Sequence, residues 1–352
     1  MVEIMKEDLL YRQICKRDGV NFSKLIQSSP DTGRIGAKAL YQLDPYQVAF
    51  LQHPDSDGVV VESPKTQKLI GAGLFSFKQG LFEGEFCDFA LLHNLVVHPH
   101  FRLQGIATHI NQHRLTSVFQ RLGEGALVVA SIQQGNKESL ATACKWCTQF
   151  AGEVYSTLSK MRTSPPDPIQ NIIIRQITND DLGEVTEQQN QFYKNYNFYE
   201  YGTPKSLLDW LSQTPFDAPF RHYYLASDKQ GNLLAGMALI EQYRLVAMQI
   251  ERMPKIAQWL NNILAVVPPD GIMRQLMIKQ IWYAPNQLRA AQYLWEWLRW
   301  EWQDRTNSMI CFFDPRSPIR KIIRQPFWMP RSTFTFAIRS KYQMCNERLI
   351  YM

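Results

Sequence analysis

The chain has 352 residues, of which 45% are hydrophobic and 20% charged, and carries a formal net charge of +6. Those figures describe an ordinary globular protein long enough to bury about two cores. No apolar run reaches membrane-spanning length, which excludes a spanning helix; with six cysteines and no basic-then-apolar leader, the expectation is a cytoplasmic protein with reduced thiols.

In chain order, Leu9 to Asp18 reads as a first strand, and Gly19 to Tyr46 as helical pieces broken by Pro30 and Gly33. Val59 to Val61 and Leu69 to Phe77 read as two strands joined by a turn at Pro64, Lys65 and Thr66. After a turn from Gly80 to Gly84, alternation across Leu91, His93, Leu95 and Val97 predicts one face of a further strand. Ile106, Ile110, Leu115, Val118, Phe119 and Leu122 then follow helical spacing. The connecting loop holds Arg102, Gln104 and Gly105 and must turn sharply. A glycine there lets backbone approach a ligand, and the first helical turn leaves N–H groups unpaired at a positive dipole end, a cradle for pyrophosphate. Arg102 adds a cation at its mouth, and Ala107 adds no bulk. A strand from Ala126 to Ile132, a helix from Lys137 to Phe150 and a strand from Glu153 to Arg162 complete an α/β arrangement around one mixed sheet.

Val97-His98-Pro99 followed by Arg102-Leu103-Gln104-Gly105-Ile106-Ala107 resembles the Arg/Gln-x-x-Gly-x-Gly/Ala signature of the GCN5-related N-acetyltransferases. The resemblance implies that acetyl-CoA is bound through Arg102, Leu103, Gln104, Gly105, Ile106 and Ala107. It also implies that the pantetheine arm pairs with backbone at Leu95 and Val97, and that no metal takes part. The chemistry implied is direct transfer of acetyl to a primary amine of a small molecule or peptide. That amine must lose a proton, a task for a base with pKa near neutrality. His93 is the candidate by type and place, with Asp88 and Glu85 next. Asn136 resembles the family's coenzyme-contacting asparagine. The tyrosine that the family often has seven residues further on is Ala143 here. Tyr155 is then the candidate to protonate the departing thiolate; otherwise solvent does so, or the domain binds coenzyme without fast turnover. That last case is the alternative reading, a non-catalytic acyl-CoA sensor or scaffold.

Thr163-Ser164-Pro165-Pro166-Asp167-Pro168 interrupts the pattern and reads as a linker. Past it, Arg12-Gln13-Ile14 with Asp18 reappears as Arg175-Gln176-Ile177 with Asp181, and Ala72-Gly73 recurs 163 positions on as Ala235-Gly236. The expected organisation is therefore two tandem domains of the family's fold, each a mixed, mainly antiparallel sheet flanked by helices. Residues 1–163 form the acetyl-CoA domain, 164–168 the linker and 169–352 a degenerate second copy. Stepping from Pro285 as from Pro99 reaches Leu288, Ala291 and Tyr293 in place of Arg102, Gly105 and Ala107, so the second copy is expected to bind no coenzyme. Trp295, Trp297, Trp300 and Trp302 read chiefly as core and inter-domain packing. Thr333 to Ile338 and Arg348 to Tyr351 are strand-like, and either could complete the first domain's sheet. The basic stretch from residue 315 onward carries no nucleic-acid motif, so nucleic acid is not an expected partner; the expected assembly is a monomer or homodimer.

Overall fold

The computed structural model describes residues 9–29 and 36–352, apart from 254, 256, 257, 260, 262–264, 327, 328, 330 and 346. The breaks expected at Pro30 and Gly33 lie outside the described residues. The first half comprises β1 (Leu10–Gln13), α1 (Gly19–Gln27), β2 (Gly36–Tyr41), α2 (Pro45–Gln52), β3 (Ser56–Ser63), β4 (Lys68–Phe82), β5 (Glu85–Val97), α3 (Ile106–Leu122), β6 (Leu127–Gln133), α4 (Lys137–Ala143) and β7 (Gln149–Lys160). The second half comprises β8 (Ile173–Gln176), α5 (Leu182–Tyr193), β9 (Tyr196–Asn197), α6 (Pro204–Ser212), β10 (Arg221–Ser227), β11 (Leu233–Ile240), β12 (Val246–Arg252), β13 (Ile272–Met273), β14 (Gln275–Tyr283), α7 (Leu288–Glu301), β15 (Ser308–Phe313), α8 (Ile319–Ile323), β16 (Arg331–Arg339) and β17 (Leu349–Ile350).

Twelve strands form one sheet in the order β1-β3-β4-β5-β6-β16-β7-β15-β14-β11-β10-β8. The repeat read from the sequence is structural. β1 and β8 are 163 residues apart and pair with β3 and β10 respectively. Each is followed by a single turn fastened by the same ion pair, Arg12–Asp18 at 2.7 Å and Arg175–Asp181 at 2.6 Å. The two copies exchange their last strands. β16, from the second half, lies between β6 and β7, and β7 runs on to pair with β15. Thr333 to Ile338 is thus the strand that completes the first half's sheet. A second bridge joins β2 to β12.

Three local expectations give way to these long-range partners. Gly36–Tyr41 is strand rather than helix, because β12, some 200 residues on, supplies its hydrogen bonds. The helix from Lys137 stops at Ala143 and the following strand starts at Gln149, since Gln149 and Phe150 pair with Ile338 and Ala337 of β16. The first strand stops at Gln13, because the Asp18 carboxylate accepts the Cys15 N–H and closes a turn. Trp295 and Trp302 are fully enclosed in the largest core cluster, with Trp297 packed on its edge.

Candidate active site

β5 and β6 are parallel partners only from Phe89–Leu91 to Leu127–Val129. Beyond Leu91, β5 continues for six residues with no ladder to β6, so the sheet opens there. At the end of β5 the chain makes one tight turn over Pro99–Phe101 and passes through Leu103 at φ 64° and Gly105 at φ 81° before α3 begins. The left-handed geometry at Gly105 is the one L side chains avoid. No side chain caps α3, so its first N–H groups face the opening at the positive end of a 17-residue helix. Arg102 is exposed, and its Nε donates to the Val97 carbonyl at 3.2 Å, which holds the guanidinium beside the strand end. Gln104 ties back to the His100 carbonyl, Leu103 is fully exposed, and buried Ile106 anchors the turn in the core. Leu95, Val97, Arg102, Leu103, Gln104, Gly105, Ile106 and Ala107 thus lie in one continuous strand-turn-helix around the opening.

Sequence reasoning missed Lys145, whose Nζ donates to Thr108 Oγ1 at 2.9 Å and so places a second cation at the first turn of α3. Its distance in sequence from the loop left no signal. Asn136 caps α4, its Oδ1 accepting the Ser139 N–H at 3.0 Å. Tyr155 is not brought to the opening. It lies on β7, three strands and so about 14 Å from β5, beneath the Arg331 guanidinium. Ala143 is buried in the core, so α4 offers no tyrosine site there either.

His93 does not share a face with Leu95 and Val97, contrary to simple alternation. Asn94 at φ 51° inserts one extra residue opposite β4: Ala72 faces Val96 while Leu74 faces His93. Leu95 and Val97 pack with Ile106 and Ile110 against α3. His93 instead shares a hydrogen bond of 2.7 Å with Ser76 Oγ, which bonds to Ser56 Oγ at 2.8 Å. Ser56 Oγ donates to the His53 carbonyl at 2.5 Å, and the His53 and His93 rings are 5.2 Å apart. From the opposite face, buried Arg114 donates to the carbonyls of Leu74 and His93 at 2.8 and 3.1 Å. Gly73 leaves room for it: a Cβ there would lie 3.2 Å from the Arg114 guanidinium and 2.6 Å from Ile110.

Burial, reinforced by Arg114 and Lys78, pushes His93 down to about 3; burial, reinforced by Lys78, His93 and Lys279, pushes His53 down to about 2. Both imidazoles are therefore neutral near pH 7. The unfolded chain takes up protons near the ordinary value of about 6.5, so on acidification below that point it binds more protons than the folded chain. Stability should then fall from pH 7 to pH 5 by up to about 1.4 kcal/mol per pH unit for each imidazole. Melting curves of the His53→Gln, His93→Gln double variant should show a flatter acid slope; an unchanged slope would place both imidazoles outside this account.

The second half repeats the opening without the cradle. β14 pairs with β15 only over Gln275–Ile278, and Gln280 at φ 50° repeats the bulge of Asn94. The connector from β14 to α7 is Ala284-Pro285-Asn286-Gln287, against eight residues from His98 to Gly105. Leu288, Ala291 and Tyr293 therefore lie within α7, with Ala291 fully buried. The loop is therefore halved to four residues rather than blocked by Tyr293, which lies within α7.

No family model and no curated protein matches the sequence. Among solved structures, the chain is similar to Saccharomyces cerevisiae N-myristoyltransferase with bound myristoyl-CoA, with a TM-score of 0.65 and 11% identity over 99% of this chain and 86% of that one. It is also similar to a GCN5-related N-acetyltransferase from Kribbella flavida, with a TM-score of 0.50 and 12% identity over 94% and 70% of the two chains. At these identities the likeness is one of fold, a tandem mixed α/β arrangement shared with the N-myristoyltransferase and the GCN5-related N-acetyltransferase. The tandem repeat of the fold accounts for the doubled sheet opening. Among the described residues of this fold, no cluster of His, Cys, Asp or Glu could hold a metal ion, and no helix is long and apolar enough to cross a membrane.

Proposed function

We propose that the chain is an acyl-CoA-dependent N-acyltransferase that moves an acetyl group from acetyl-CoA to a primary amine, with its coenzyme site in the first half. One observation carries the reading: β5 leaves β6 after Leu91 and ends at an uncapped helix N-terminus across a left-handed Gly105. Pyrophosphate would meet the first N–H groups of α3, with Arg102 and Lys145 as cations. The pantetheine arm would pair with the backbone that β6 leaves open at Leu95 and Val97, taking the place of Arg102 Nε at the Val97 carbonyl, which sets the thioester carbonyl where the sheet parts. The neutral amine nitrogen attacks that carbonyl, the C–S bond breaks, the nitrogen gives up a proton to solvent, and the departing thiolate takes one from solvent.

His93 enters this reading as a neutral hydrogen-bonding group rather than a base titrating near pH 7, since its pKa lies far below that range. His93→Gln should accordingly leave the shape of the pH-rate profile between pH 6 and 9 unchanged; loss of an ionisation in that range would restore His93 as the base. Solvent, not Tyr155, protonates the thiolate, given the distance of β7 from β5. The second half, whose opening has no phosphate loop, shapes the acceptor site.

Two observations favour other readings. The N-myristoyltransferase covers 99% of this chain and was solved with myristoyl-CoA, which supports a long-chain donor. Ala143 in place of tyrosine supports a sensor that binds without turnover. Thiol release measured with acetyl-CoA and with myristoyl-CoA across a panel of amines separates the three. The proposal expects amine-dependent release from acetyl-CoA. Release from myristoyl-CoA alone would establish the long-chain donor, and tight binding without release the sensor.

A further inference from the structure

The opening between β14 and β15 holds a small cavity of about 20 Å³, partly open to solvent, lined by residues that include Tyr193, Tyr196, Lys279, Cys311, Ile319 and Tyr351. Lys279 precedes the bulge residue Gln280 as His93 precedes Asn94, so the two copies place a nitrogen base at the same point of the fold. The side chains around Lys279 are short of anions. Among the charged groups that act on it, Lys78 and Arg221 are cations and Glu200 is the single carboxylate. Glu200 is already engaged in an ion pair with Lys78. Arg221 is spent on the carbonyls of Trp210 and Leu51 and the amide of Gln213. Tyr196 is bonded to Ser317, and Tyr193 donates to the Ile281 carbonyl, so neither hydroxyl is directed at the lysine. Among the described residues, no hydrogen bond or ion pair reaches Lys279 Nζ. Burial is the main force on it and lowers its pKa to about 8. Lys279 is half-buried at the mouth of this cavity, where an ammonium without a counter-charge is unfavourable and an arriving anion relieves it.

We infer that Lys279 receives a carboxylate of the acyl acceptor, so that the acceptor is a primary amine that also bears a carboxylate, such as an amino acid. The inference rests on the acyltransferase reading above and names the acceptor's class. A single point-charge donor in a small cavity suits a monoanionic carboxylate; a phosphate is held by several charge-assisted donors, as at the N-terminus of α3. The charge of Lys279 reaches His53, whose ring is 5.2 Å from that of His93. A carboxylate held at Lys279 leaves the amine end of a short acceptor free to extend toward the first half.

The test uses matched acceptors, amino acids against their carboxamides, with the full-length protein, Lys279→Met and Lys279→Arg. The natural protein should prefer the acid. Lys279→Met should raise KM for the acid by roughly 10- to 100-fold, with little change in kcat and none in KM for the amide, and Lys279→Arg should restore most of the preference. Equal KM values for acid and amide in the natural protein, or parallel losses on both in Lys279→Met, would overturn the assignment. A second readout needs no turnover and no variant: the pKa of Lys279, followed by NMR of lysine-labelled natural protein, should rise when an N-acetyl amino acid is added and stay unchanged with its amide. A rise without thiol release from any acceptor would sink acyl transfer while supporting carboxylate recognition. No rise would overturn the role of Lys279 even if acyl transfer is found.

Discussion

Gly105→Val will lower affinity for acetyl-CoA by more than 100-fold while leaving the fold intact. Two effects act at this one position. Gly105 sits at φ 81°, a left-handed conformation that costs an L residue about 1 to 2 kcal/mol and a β-branched one more. The chain can relax from it only by moving the first turn of α3, the group of N–H donors proposed to bind phosphate. A side chain at the N-cap also stands between those donors and the ligand. Arg102→Ala should have the smaller effect, roughly 10- to 150-fold, since it removes one charge-assisted contact worth about 1.5 to 3 kcal/mol and Lys145 remains. Calorimetry of both variants, with circular dichroism as the control for folding, gives the order. Natural affinity in Gly105→Val would mean that coenzyme does not approach this turn.

Residues 1–163 expressed alone will not fold cooperatively, although they contain the whole loop from His98 to Gly105 proposed to hold the coenzyme. In the full chain β16 fills the gap between β6 and β7, and its Phe336, Ala337 and Ile338 are almost wholly buried. Without it, two strands lose a shared partner and expose paired edges and apolar surface together, the condition that favours aggregation over folding. The fragment should be insoluble or melt without a sharp transition, and co-expression with residues 169–352 should recover soluble protein. In the full chain, Ala337→Asp places a carboxylate where no partner is available and should destabilise by roughly 4 kcal/mol or more. A sharp thermal transition from the isolated 1–163 fragment would show that the exchanged strand is dispensable.

The parts of the fold legible in the sequence are those written in local spacing. α3 spans Ile106–Leu122 as its apolar periodicity predicts, and the Arg12–Asp18 motif returned at Arg175–Asp181 as the same ion-paired turn. The strand character of Thr333 to Ile338 was also visible, because alternation survives wherever the strand finds its partner. What escaped depends on partners or on backbone geometry. Gly36–Tyr41 became a strand through β12, a partner that local propensity does not reveal. One inserted residue at Asn94 turned His93 to the other face, and a period-two reading cannot see a bulge. Lys145 and Lys279 gain their positions only when distant strands and helices converge.

The central claim is that this chain holds acyl-CoA at one place, the uncapped N-terminus of α3, and not at the matching point of the second half. Calorimetric titration of the full-length natural protein with acetyl-CoA tests it most directly through its stoichiometry. The account predicts one equivalent per chain, because the connector of Ala284 to Gln287 leaves no phosphate loop before α7. Two equivalents, or no binding at all, would contradict it.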